Sequence, residues 1–102
     1  MKEGDRSLKV SIIILNLNGG EDVIECLKSV KDIDYPDYEI IVVDNGSTDN
    51  SVEGIKRSFP DIKLIQNNKN LGFSEGVNVG IRAATGGYIM LLMMIPWSQK
   101  IS

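Results

Sequence analysis

A chain of 102 residues, 42% hydrophobic and 25% charged, is sized and composed for one small globular domain with little core to spare. Its net charge of −3 excludes the basic stripe that a nucleic-acid partner requires. The lack of histidine excludes a His general base, a Ser-His-Asp triad and most zinc sites, and a single cysteine, Cys26, excludes an internal disulfide. Residues 1–9 are charged and lack a signal-peptide core, and the most apolar run, residues 88–97, is about half of a membrane span. No transmembrane segment and a cytoplasmic location are therefore expected.

Residues 8–15 end in a β-branched run that predicts a strand covered on both faces, broken by Asn16-Leu17-Asn18-Gly19-Gly20. From Glu21, the apolar positions Val23, Ile24, Leu27 and Val30 form a helical stripe, with Cys26 as a small core residue beside it, and Pro36 closes the unit. Residues 38–43 predict a second buried strand ending at Asp44. The turn-forming loop of residues 44–49 follows, and then Asn50 with Glu53, spaced as a capping box. Val52, Ile55 and Phe59 give the next helix a buried face, ended by Pro60. Residues 62–66 predict a short third strand. Ser74 is placed to cap a third helix with Val77, Ile81 and Ala84 on its inner face, and residues 88–92 predict a fourth strand. Gly72, Gly76 and Gly80 recur every four residues, a spacing that brings this helix close to a neighbour.

Strands alternating with helices predict one three-layer α/β/α domain around a mainly parallel sheet, with its core at residues 8–92 and a divergent tail at 93–102. Ligands of such sheets bind outside the carboxyl ends of the strands. To that rim the first strand delivers Asn16 and Asn18, the second Asp44 and Asn45, and the third Asn67, Asn68 and Asn70. An amide-rich rim with one carboxylate suits the hydrogen-bonding edges of a base and ribose. Asp44 either accepts a ring N–H such as that of uracil or braces the loop that follows it. Neither a G-x-x-x-x-G-K-[ST] nor a G-x-G-x-x-G motif occurs, which sets aside P-loop and dinucleotide sites. Glu53 and the other helix charges read as solvated faces, and the Met90, Met93 and Met94 cluster as packing.

Three segments together resemble the family 2 glycosyltransferases: Val10-Ser11-Ile12-Ile13-Ile14-Leu15-Asn16-Leu17-Asn18-Gly19, Ile41-Val42-Val43-Asp44-Asn45-Gly46-Ser47-Thr48-Asp49-Asn50, and Asn67-Asn68-Lys69-Asn70-Leu71-Gly72-Phe73-Ser74-Glu75-Gly76-Val77-Asn78-Val79-Gly80-Ile81. The third is similar to the rhamnosyltransferase-like branch. The resemblance implies a partial GT-A fold binding a UDP- or dTDP-linked sugar for transfer to a glycan or lipid-linked acceptor. By the same resemblance Asn16 and Asn18 line the base and ribose pocket, Asp44 pairs with the base with Asn45 beside it, and Asn70 and Gly72 border the donor, with Glu75 and Asn78 as weaker contacts. Leu17 stands where the family often has tyrosine, which removes an aromatic wall.

The family follows its fourth strand with an Asp-x-Asp-like motif whose acid helps hold Mg²⁺ or Mn²⁺. Here the stretch reads Met93-Met94-Ile95-Pro96-Trp97, and no carboxylate follows Glu75. No cofactor site and no catalytic base are expected within this chain, so the sequence predicts a donor-binding half that is inactive alone, truncated from a longer enzyme. The alternative is a non-catalytic nucleotide-binding or oligomerising scaffold. An uncovered apolar strand at residues 88–97 further predicts a homo-oligomer or a poorly soluble monomer.

Overall fold

The β-branched runs become strands and the amphipathic stripes become helices. The computed structural model describes residues 8–95. In chain order these form β1 (Val10–Asn16), α1 (Gly20–Lys31), β2 (Tyr38–Asp44), α2 (Ser51–Ser58), β3 (Lys63–Gln66), α3 (Phe73–Ala83) and β4 (Tyr88–Met94). The fourth strand runs two residues past its expected end, because Met93 and Met94 still pair with Leu15 and Asn16. The remainder of the expected tail, residues 96–102, lies outside the described residues.

All strand pairs are parallel, in the order β3-β2-β1-β4, with Val10 level with both Tyr38 and Tyr88. The chain steps outward from β1 to β2 to β3, then reverses across β1 to lay down β4. Right-handed crossovers in opposite directions put their helices on opposite faces. Alternate residues of β1 accordingly enter two cores. Ile12 and Ile14 pack with Val23, Leu27, Val42 and Ile55 on the α1/α2 side, and Ile13 and Leu15 with Ile41 and Val43 on the α3 side. These side chains are fully buried, each worth about 1.5–3 kcal/mol. The expected three-layer arrangement is therefore the observed one.

Helix α3 departs from expectation at its contact face. Ile81 is 44% exposed, and the residues buried against the sheet are Gly76 and Gly80. A Cβ on Gly80 would lie 2.6 Å from Ile13 Cγ2, and one on Gly76 would lie 2.8 Å from Leu15 Cδ1. The four-residue glycine spacing is thus a groove that seats the helix on the strands, flanked by Val77, Val79 and Ala83. The helix caps also differ from expectation. Asn50 and Gly72 occupy the cap positions of α2 and α3, neither helix has a side-chain cap bond, and Ser74 lies within the first turn of α3. Asp49 does the work assigned to Asn50, its Oδ1 accepting from Ser51 N at 3.0 Å and Ser51 Oγ at 2.5 Å.

At the amino ends of the strands, Glu39 gathers the sheet and the α3–β4 connection. Its Oε2 accepts from Ser11 Oγ at 2.6 Å, Thr85 N at 2.7 Å and Thr85 Oγ1 at 3.0 Å. Its Oε1 lies 3.6 Å from Lys63 Nζ and 4.0 Å from Lys9 Nζ. Partial burial works to raise this carboxyl, but the bonds from Ser11 and Thr85 and the charge of Lys9 outweigh it and lower its pKa from 4.5 to about 2.

Two outcomes follow. Gly80→Ala is expected to destabilise the fold by about 1–2 kcal/mol in urea unfolding, because the clash with Ile13 outweighs the gain in helix propensity. A carboxyl whose folded pKa is depressed stabilises the fold above its unfolded value and loses that contribution as pH falls. Stability due to Glu39 should therefore be intact above about pH 4.5 and disappear toward pH 2. In Glu39→Gln that part of the acid dependence should be missing from melting curves taken across the window.

Candidate functional site

The sheet changes direction between β1 and β4, and a parallel sheet opens a crevice at such a switch point, beyond its carboxyl ends. A cleft of about 310 Å³ lies there, lined by Asn18, Gly19 and Asp22 from the β1–α1 turn and by Met93, Met94 and Ile95 from the end of β4. The residues singled out from sequence surround this end of the sheet, but two separate networks divide them.

The first network lies on the α1/α2 side. Asn16 Nδ2 donates to Asp44 Oδ1 at 2.8 Å, Ser51 Oγ at 3.0 Å and Ser47 Oγ at 3.2 Å. Asn16 Oδ1 accepts from Gly19 N at 3.2 Å. Asp44 also accepts Ser47 Oγ at 2.6 Å on Oδ1 and Ser47 N at 2.9 Å on Oδ2. Asn18, held at φ 53°, accepts Thr48 N at 2.7 Å and Asp49 N at 3.1 Å through its Oδ1. Asp49 Oδ2 in turn accepts Gly20 N at 3.0 Å. Burial opposes ionisation of Asp49, and the hydrogen bonds from Ser51 and Gly20 prevail, holding its carboxyl below the usual range. The outcome is a laced joint between the β1–α1 and β2–α2 turns.

The second network lies on the α3 side and centres on Asn45. Its Oδ1 accepts from Asn67 Nδ2 at 3.1 Å and Leu71 N at 3.2 Å, and its Nδ2 donates to Asn70 Oδ1 and to the Gly72 carbonyl, both at 3.1 Å. Asn70 Oδ1 also accepts Gly72 N at 2.8 Å. Gly46, at φ 88°, permits the two loops to meet, since a Cβ there would lie 2.9 Å from the Lys69 carbonyl carbon.

Of the residues expected at the rim, Asn16, Asp44 at 3% exposure and Asn45 at 2% are buried within these networks. Asn18 and Gly72 are half-buried, and Asn70 is exposed. Two of the three hydrogen bonds that Asp44 accepts, from Ser47 N and Oγ, brace the loop that follows it, and the third comes from Asn16 on β1. Glu75 is exposed and paired with Arg82 at 2.8 Å, which, with a bond from Asn78, holds its carboxyl below the usual range. Sequence reasoning missed Ser47 and Ser51, whose hydroxyls link Asn16 to both loops. Ser47 lies within the turn-forming loop of residues 44–49, and Ser51 opens the helix just after it, so the available signal was a hydroxyl on either side of Asp49.

Among the described residues, no three His, Cys, Asp or Glu side chains come together. Asp22 is the one carboxylate lining the cleft, beside Asn18, Gly19, two thioethers and an isoleucine. Among the described residues, no helix is long and apolar enough to cross a membrane.

The model of the family described as glycosyl transferase family 2 matches residues 11–92. The chain belongs to the family 2 glycosyltransferases. It is 39% identical over 84 residues to the uncharacterized glycosyltransferase YibD of Escherichia coli, covering 79% of this chain and 24% of the relative. It is 34% identical over 85 residues to poly-beta-1,6-N-acetyl-D-glucosamine synthase of Staphylococcus epidermidis, covering 81% of this chain and 21% of that enzyme. This family 2 chain thus spans about a quarter or less of the length of these relatives. Among solved structures it is similar to the mannosyltransferase PcManGT from Pyrobaculum calidifontis in complex with GDP-Man and Mn2+, with TM-score 0.69, 29% identity, and coverage of 74% of this chain and 24% of that one. It is also similar to S. aureus TarS, with TM-score 0.76, 26% identity, and coverage of 84% of this chain and 16% of that one. Both are GT-A glycosyltransferases, so the parallel sheet and its helices are part of that fold.

The buried joint is expected to matter more to stability than the exposed rim. Asp44→Ala removes the acceptor of both the Ser47 N–H and the Ser47 hydroxyl and one of the three acceptors of the Asn16 amide, and should lower stability by about 1–3 kcal/mol, whereas Asn70→Ala should change it by less than about 1 kcal/mol. Thermal melts of the two variants beside wild type check the ranking, and equal losses would overturn it.

Proposed function

We propose that this chain is the donor-binding part of a sugar-transfer enzyme, holding the nucleoside diphosphate of a UDP- or dTDP-linked sugar destined for a glycan or lipid-linked acceptor. The observation that carries the reading is the cleft at the switch point between β1 and β4, on the rim where Asn18, Asn70 and Gly72 are accessible. Family membership supports sugar transfer as the chemistry, and the mannosyltransferase neighbour, solved with GDP-Man, supports a nucleotide sugar as the ligand class.

In this reading the described residues bind and orient rather than catalyse. Asn16 and Asp44 hold the turn that carries Asn18 and Gly19 to the cleft, and Asn45 holds the loop that carries Asn70. Transfer leaves a nucleoside diphosphate whose growing negative charge must be offset. Asp22 is the single carboxylate at the cleft, and among the described residues no cluster of three acids stands there. In this reading the part of the described residues is to bind the donor.

A second reading, association through β4, is favoured by one observation. Tyr88, Ile89, Met90, Leu91 and Met93 are all exposed, Tyr88 at 59%, and among the described residues β4 pairs only with β1. A seven-residue apolar strand without charge or proline is a template for another strand.

NMR titration of labelled protein with UDP, dTDP-glucose and GDP, with and without Mg²⁺, tests the first reading. Shifts clustered at Asn18, Gly19, Asn70 and Gly72, unchanged by Mg²⁺, are expected. A dispersed spectrum that no nucleotide perturbs at millimolar concentration would overturn it. Sedimentation velocity tests the second: Leu91→Lys should convert a self-associating species to monomer, and a clean wild-type monomer at high concentration would sink the idea.

A further inference from the structure

The start of α3 overhangs the end of the sheet, and the overhang is built by the glycine groove. Gly80 sits on Ile13 and Val43, and Gly76 sits on Leu15 and Asn45. Four helical residues advance about 6 Å and two strand residues about 6.6 Å, so helix and strands run past one another in step. One further step brings the helix start to the level of Leu17, beyond the last paired residue of β1, which is Asn16.

Phe73 stands at that overhang. It precedes Gly76 by three residues and Val77 by four, which puts it on the same side of the helix at its exposed first turn. Helical side chains lean toward the helix N-terminus, which here points away from the sheet and out over the rim. The ring is 44% exposed, unlike the apolar side chains deeper along the strands. The space beside it is open: a Cβ on Gly72 would meet nothing within 4 Å. Next to this opening, Asn70 and Asn67 each spend only one end of their amides on Asn45 and the loop backbone. Asn70 Nδ2 and Asn67 Oδ1 therefore remain as one donor and one acceptor at the rim.

We propose that Phe73 is the wall on which the nucleobase of the donor stacks, with the free amide ends of Asn67 and Asn70 reading the base edge. The inference rests on the donor-site reading above and names the residue that would give that site its grip on the base. An aromatic face with a donor and an acceptor beside it matches uracil or thymine, which offers a ring N–H flanked by carbonyl oxygens. It also supplies from α3 the aromatic surface that Leu17 does not offer from the β1–α1 turn. Phe73 in this role is a binding and positioning residue, and the diphosphate end of the ligand does not depend on it.

Titration calorimetry with UDP and with inorganic pyrophosphate, on wild type, Phe73→Leu and Phe73→Trp, tests the assignment. Leucine keeps apolar bulk at an exposed first-turn position and removes only the planar ring, and circular dichroism of each variant checks the fold. Phe73→Leu is expected to weaken UDP about tenfold, as loss of one base-aromatic stack does, to leave pyrophosphate binding unchanged, and to be rescued by Phe73→Trp. In wild type, the uracil H5 and H6 resonances should move upfield on binding. Wild-type binding of UDP with an unaltered Phe73→Leu affinity would overturn the stacking role while leaving the donor site standing. Failure of the folded wild-type protein to bind UDP would remove the donor-site reading and this inference with it.

Discussion

The hydrogen bond from Asn16 Nδ2 to Asp44 Oδ1, 2.8 Å long and buried, is the constraint on which the carboxyl end of the sheet depends. It joins the last paired residues of the two central strands at the point where their chains diverge into different loops. A carboxylate placed in so dry a position is tolerated only when its lone pairs are occupied. Ser47 satisfies that need twice, through its N–H and its hydroxyl, and so pulls the β2–α2 loop into the joint. Ser51 then couples the same amide to the first turn of α2. No buried side-chain polar atom among the described residues lacks a partner, so this network rigidifies instead of destabilising.

Asn45 does the corresponding work across the sheet. Its amide makes four hydrogen bonds, to the side chains of Asn67 and Asn70 and to the backbone of Leu71 and Gly72. One side chain thus fixes the exit of β3 and the entry of α3. Consecutive residues Asp44 and Asn45 point to opposite faces, as strand geometry requires, and each organises the loops on its own side. The donor site proposed here is an opening between two rigid corners, which is how a loop-built site is held to a fixed geometry.

Most of the fold was legible in the sequence because its signals are local. Ile12, Ile13 and Ile14 form an uninterrupted run that only a doubly covered strand accommodates, and Val23, Leu27 and Val30 keep a helical period. What escaped was set by contacts between distant segments. Ile81 has the spacing of an inner-face residue, yet the groove at Gly76 and Gly80 rotates the helix so that its smallest residues face the strands. Asn50 and Glu53 have the spacing of a capping box, yet Asp49 reaches the Ser51 N–H first while also bonding Gly20 of a different turn. At the site, composition revealed an amide-rich rim but not which amides turn inward. Asn16 and Asn45 are consumed by the scaffold, and that division depends on strand parity and loop closure together.

The strand order also has a consequence for the birth of the fold. β1 is the first of the described strands and lies inside the sheet, but one of its edges is filled only by β4, the last of the described strands. Until β4 emerges, a nascent chain holding β1, β2 and β3 must carry the open edge of its most apolar strand, with Ile12, Ile13 and Ile14 only partly shielded. Parallel pairings between segments so far apart in sequence are slow to form. A ribosome paused before residue 88 would therefore present a strand template to its surroundings, and chaperone demand for this chain should be concentrated in that interval of its synthesis.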